Sequence, residues 1–270
     1  MSHKSVHDRL PGPSAILAAC LANGLTGCTP GRTTEPAGQA DRPSVAGCIQ
    51  SGRIEVERAF GEPMPRPFDV HICGHRADME AVAREAWQVP ELPCWAVAMG
   101  SGSRLVVLDP AVWGTEACEH DPRDRVAVQR IITHELVHVF HGQHRADSEF
   151  TQADEVGWFV EGLAVEVSGQ LDAERLQQAA ELVRRGEGPT RLVDGWSGPA
   201  RYAVAGSMVR FVRIRLGDGV EGRQGIKGLL GASTNAEILA ALECDEADFL
   251  TAWRTWLSQA PQDESLSARP

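Results

Sequence analysis

The chain has 270 residues, with 26 Lys and Arg against 37 Asp and Glu and a formal charge of −11. That length suits one medium domain with extensions, and 43% hydrophobic residues supply a sizeable core, which excludes wholesale disorder. The acidity speaks against a nucleic-acid partner, whose phosphates need a basic face, and no run of about 18 apolar residues exists to build a multi-pass membrane protein.

In chain order, residues 1–27 read as a signal peptide. Lys4 and Arg9 outnumber Asp8, and an apolar, small-residue stretch SAILAACLANGLTG follows, long enough for a signal core and too short to span a bilayer. It ends in Leu25-Thr26-Gly27-Cys28, which resembles a bacterial lipobox. That resemblance implies a lipidated Cys28, anchoring the chain in the cell envelope on the periplasmic or outer side; an ordinary secretory signal is the alternative. Residues 28–52 are rich in Pro, Gly, Ser and Thr and read as a flexible tether.

Residues 53–260 read as a single α+β domain, and 261–270 as a disordered tail. Residues 54–57 and 68–73 are predicted as short strands around the Pro-rich turn GEPMPRP, and 77–87 as a helix,. Residues 95–99 and 104–109 form a predicted hairpin across GSGS,. A long amphipathic helix is predicted over 124–141, with Asp121-Pro122 as its start signal,. Further helices are expected over 158–168, 173–185, 200–216, around 236–242 and over 247–257. Strands first and helices after favour α+β, a small N-terminal mixed sheet followed by a helical C-terminal part.

The central helix carries IITHELVHVFHGQH, in which His134-Glu135-Leu136-Val137-His138 is an HExxH motif. Four residues along a helix turn by about 400°, so His134 and His138 project from nearly one face. Two imidazoles so placed can grip one tetrahedral metal, and zinc suits nitrogen ligands. Glu135 adjoins the first ligand, placed to take a proton from a water that the metal activates.

A catalytic zinc needs a third protein ligand, and two residues compete. Glu161 lies within WFVEGLAVEVSG, inside an apolar run where an uncompensated carboxylate would be expensive,. His144 lies six residues beyond His138, as in the metzincin pattern HExxHxxGxxH, but the glycine stands at 142 rather than 141 and Met208 falls in a predicted helix rather than a tight turn. His141 is on the ligand face by angle; it reads either as lining beside the ligands or as a plain surface histidine.

HELVH together with WFVEGLA resembles the gluzincin-type zinc metallopeptidases, in particular bacterial peptidase MA-like domains, over residues 66–258. The resemblance implies a zincin-like fold with HExxH on the central helix, one zinc per chain on His134, His138 and Glu161, and Glu135 as general base. It favours Glu161 over His144, implies that Gly162 and Ala164 let the Glu161 helix pack against the HExxH helix, and implies that 104–109 is an edge strand along which a peptide substrate pairs. Where the thermolysin-like branch has an Asp to brace a zinc ligand, this chain has Val165, so the group orienting the imidazoles is unassigned. Tyr202, the only tyrosine, could stabilise an oxyanion or sit half-buried at a helix start,. Arg201 could hold a substrate carboxylate, and Trp158 and Trp196 could line a cleft or fill the core.

Removal of Cys20 and lipidation of Cys28 would leave Cys48, Cys73, Cys94, Cys118 and Cys244. Cys94 and Cys118 bracket the hairpin and its loop and are the favoured pair, although spacing alone does not settle pairing. The expected activity is peptide or protein hydrolysis at an envelope-anchored zinc site, with no nucleic-acid partner and the anchor as the only membrane contact. A non-catalytic zincin-fold envelope lipoprotein and a zinc amidase acting on cell-wall material are the alternatives.

Overall fold

The Ser44 hydroxyl accepts the Gly47 amide at 3.1 Å and starts α1 (Val45–Phe60), which stops where Gly61 turns left-handed at φ 74°. The structure is a computed structural model and describes residues 44–217 and 219–259. The expected signal peptide, Cys28, tether residues up to 43 and the tail 261–270 lie outside the described residues. Val45, Cys48, Gly52, Val56 and Phe60 form the buried stripe of α1, and Phe60 stacks on Phe140 at 4.3 Å. The strand predicted at 54–57 is therefore helix, as is the last part of the expected tether. The short alternation in Ile54-Glu55-Val56-Glu57 imitates a strand, but the longer apolar spacing is helical and leaves Ile54 49% exposed,.

Three strands follow: β1 (Asp69–Cys73), then α2 (Arg76–Trp87), then the hairpin β2 (Ala98–Ser101) and β3 (Arg104–Leu108). The order is β1-β3-β2. β1 runs parallel to β3, with Val70 opposite Leu105, and β2 runs antiparallel, with Ala98 opposite Val107. The sheet is small and mixed, as expected. However, 104–109 supplies its central strand: both edges of β3 are paired, so the expected peptide-pairing edge is not there. β2 is the outer strand beside the central helix, and all four of its residues are buried.

A 3₁₀ turn (Pro110–Val112) and the short α3 (Trp113–Glu116) lead to Cys118, which is bonded to Cys94. Asp124, whose carboxylate accepts the Ala127 amide at 2.9 Å, caps α4 (Arg125–Gln143). Every residue from Ile131 to Gln143 is buried. The expected helix is there, and from Ile131 onward it is buried all round: α1, the sheet and α5 (Gly157–Val167) surround it. The remaining helices are α6 (Ala173–Arg184), α7 (Arg201–Leu216), α8 (Gly219–Leu229), α9 (Asn235–Ala241) and α10 (Glu246–Gln259). The architecture is α+β, and no described helix is long and apolar enough to cross a membrane.

Candidate metal centre

α4 and α5 bring three of the singled-out residues together. His134 and His138 project from one face of α4, a turn apart, and Glu161 reaches them from the middle of α5. His138 Nε2 lies 3.1 Å from His134 Nε2. Glu161 Oε2 lies 3.4 Å from His134 Nε2 and 3.6 Å from His138 Nε2. A zinc ion with bonds of about 2.0–2.1 Å holds tetrahedral ligands about 3.3–3.4 Å apart. The triangle of donor atoms has the size of one face of such a site, and it could hold a metal ion.

Protonation makes the same demand. His134 Nδ1 lies 2.9 Å from Gln170 Oε1; an amide oxygen only accepts, so Nδ1 carries the hydrogen, and in the neutral ring Nε2 then presents a lone pair. Glu161 Oε2 and His138 Nδ1 are buried and make no hydrogen bond. Burial opposes charge on both His138 and Glu161, yet their mutual attraction outweighs it, with Glu135 adding at His138 and His134 at Glu161. His138 is held above the ordinary imidazole value and Glu161 below the ordinary carboxylate value. The surroundings thus favour positive charge between the acids, and a bound cation would supply it in place of a proton.

Glu135 is 1% exposed, and its carbonyl packs against Gly100 in β2. A Cβ at Gly100 would overlap that carbonyl oxygen and lie 2.9 Å from its carbon, so a glycine is what lets the hairpin rest on the HExxH turn. Gly162 serves a different contact from the one expected. A Cβ there would overlap the Ala205 carbonyl oxygen, so its close packing is against α7, not α4.

His144 does not approach the triad. Its Nδ1 donates to Phe140 O at 2.9 Å and its Nε2 meets Glu62 Oε1 at 2.8 Å, at the very end of α4. The glycine at 142 belongs to a different contact, since a Cβ there would lie 2.5 Å from Gly102 N in the hairpin turn. His141 is not a surface histidine: fully buried because α4 has no solvent face here, it donates from Nε2 to Leu230 O at 3.0 Å. Burial, with Arg145 and His138 nearby, drives its pKa far down, so it is a neutral core histidine.

Tyr202 is 5% exposed, at the start of α7, clustered with Val165 and Leu171. Its ring meets Trp196 edge-on at 4.7 Å, and the Arg201 and Arg175 guanidinium carbons lie 5.2 and 5.8 Å from its centre. Trp158 is core, its indole donating to Asn235 Oδ1 at 2.8 Å. Glu166 turns to Arg210 and Arg213, and Val165 packs towards Gly206.

No family model, no curated protein and no solved structure matches this chain.

Two residues of the site were not foreseen. Gln170 holds His134; its only signal is Gly169, a helix-stop residue just before it. Phe150, in the loop after α4, stands edge-on to His138 at 5.8 Å and to His141 at 5.4 Å. Its φ of 56° is in the left-handed region that side chains avoid, and nothing in the sequence pattern announces it.

Proposed function

We propose that this chain is a zinc metallopeptidase-like hydrolase of the gluzincin type, exported and anchored in the cell envelope. The observation that carries the reading is the buried triangle of His134, His138 and Glu161 with Glu135 adjoining it in the HExxH turn. When bound, zinc supplies Lewis acidity to a water molecule and to a scissile carbonyl. Glu135 takes the proton of the attacking water and delivers it to the leaving amine. His134 and His138 would hold the ion through neutral nitrogens and Glu161 through one negative charge, a three-ligand set of the kind catalytic zinc uses. Tyr202 is assigned to oxyanion stabilisation, which requires its phenol to turn towards the substrate. The Cys94–Cys118 bridge supports the export reading, because such bonds persist in oxidising compartments.

Purified protein is expected to hold about one zinc per chain. Glu161→Ala abolishes this binding and His144→Ala spares it; the reverse result sinks the assignment. Glu135→Gln keeps the metal and loses cleavage of a peptide library. One observation favours a second reading: His134, Glu135 and Glu161 are at most 1% exposed, as in a purely structural site within a non-catalytic envelope lipoprotein. Retained zinc with no peptide cleavage by the wild type under any library condition would select that reading.

A further inference from the structure

We propose that Gln170 is the positioning residue of the metal centre, a neutral amide that fixes His134 with its Nε2 lone pair towards the ion. This inference rests on reading His134, His138 and Glu161 as ligands. α5 ends in a Schellman-type stop: the Gly169 amide donates to Glu166 O at 3.3 Å and the Gln170 amide to Val165 O at 3.0 Å,. Gly169 at φ 73° makes the turn that brings residue 170 back along the helix from Glu161.

Each of three polar groups of Gln170 is then committed. Its N–H goes to Val165, its carbonyl accepts Arg175 Nη1 at 2.7 Å, and its side-chain oxygen accepts from His134 Nδ1. At 3% exposure, it is shielded from solvent. Arg175, caught between the Gln170 carbonyl and the Tyr202 ring, clamps this segment in place. The same helix therefore delivers one ligand, Glu161, and the orientation of another, His134.

The choice of an amide has a chemical reason. A partner for a ligating histidine is usually a carboxylate or a carbonyl. This pocket already buries Glu135 and Glu161, and a third carboxylate would add like charge at low dielectric. An amide oxygen sets the tautomer without adding charge.

The test uses the full chain with zinc alone as probe, in competition with a chelator. Gln170→Met removes the acceptor at nearly constant size and is expected to weaken zinc binding by about 10–100-fold. Gln170→Glu keeps an oxygen at that place and restores zinc binding, while the added like charge lowers the stability of the metal-free protein. Side-chain nitrogen NMR of the metal-free protein is expected to show His134 protonated at Nδ1 in the wild type, and that tautomer lost in Gln170→Met. Unchanged zinc affinity in Gln170→Met overturns the inference while leaving the ligand set intact. Wild-type His134 protonated at Nε2 overturns it whether or not either variant folds. Wild-type protein that binds no zinc through His134, His138 and Glu161 brings down the metal reading itself.

Discussion

Gly162 follows the candidate ligand Glu161 and faces α7, and Gly162→Ala isolates what that contact does. The added carbon would overlap the Ala205 carbonyl oxygen and lie 2.7 Å from both the Ala205 carbonyl carbon and Val209 Cγ2. Ordinary carbon contacts lie at about 3.5–4.0 Å, so α5 and α7 must separate by roughly 1 Å. Two of the three atoms are backbone, so no rotamer change relieves the overlap. Overpacking of this kind costs about 1–3 kcal/mol, against which alanine regains up to about 1 kcal/mol of helix preference. A net loss of about 1–2 kcal/mol lowers the melting temperature of a domain this size by about 2–8 °C. Glu161 moves with its helix, and metal sites tolerate only about 0.2 Å, so zinc affinity falls as well. Thermal unfolding of the metal-free protein and chelator competition measure the two effects separately. A Gly162→Ala protein as stable as the wild type, with equal zinc affinity, refutes the reasoning.

Gly228→Ala is the opposite case: residue 228 is exposed on α8 with nothing within 4 Å of an added Cβ, and about 0.5–1 kcal/mol of stabilisation is expected in denaturant titration; a loss would show that α8 is not helical there. Glu62 holds Lys227 Nζ at 2.6 Å and His144 Nε2 at 2.8 Å, and Lys227 foremost lowers its pKa. A lowered folded value means its stabilisation is present above the unfolded value of about 4.3 and is lost as pH falls through the folded one. Glu62→Gln should therefore trail the wild type by at most about 1 kcal/mol at pH 7 and converge with it in acid; a gap that persists at low pH rules this out. Breaking the Cys94–Cys118 bond, which closes a sequence separation of 24, should lower stability by roughly 3 kcal/mol in melting curves of Cys94→Ser/Cys118→Ser, and an unchanged curve would show that the bridge constrains nothing.

Much of the centre was legible because it is local. HELVH needs only the pitch of one helix to put two imidazoles on one face, and Glu161 betrays itself as a carboxylate inside an apolar run. The hairpin and most later helices carry strong short-range patterns. What escaped depends on distant partners or on misleading local chemistry. That β3 is central follows from its pairing with β1, across α2, which no periodicity encodes. α8 has no sequence-based counterpart because Gly219, Gly222, Gly225 and Gly228 recur every third residue and weaken the helical pattern, whereas Gly225 is a helix residue packed against Leu216. Residues 54–57 imitate a strand only while the window stays short. Gln170 is invisible beforehand, since an amide after a helix stop has no pattern, and only the fold shows that it meets His134.

The covalent loop between Cys94 and Cys118 contains the hairpin that rests on Glu135, while all three candidate ligands lie outside it and none is a thiol. Oxidation and any metal loading would consequently act on different residues. An oxidant strong enough to close the bridge has no sulfur to attack at the metal, and zinc has no cysteine to capture there before the bridge forms. On the proposed export reading, maturation in an oxidising space would need no reduced intermediate at that centre.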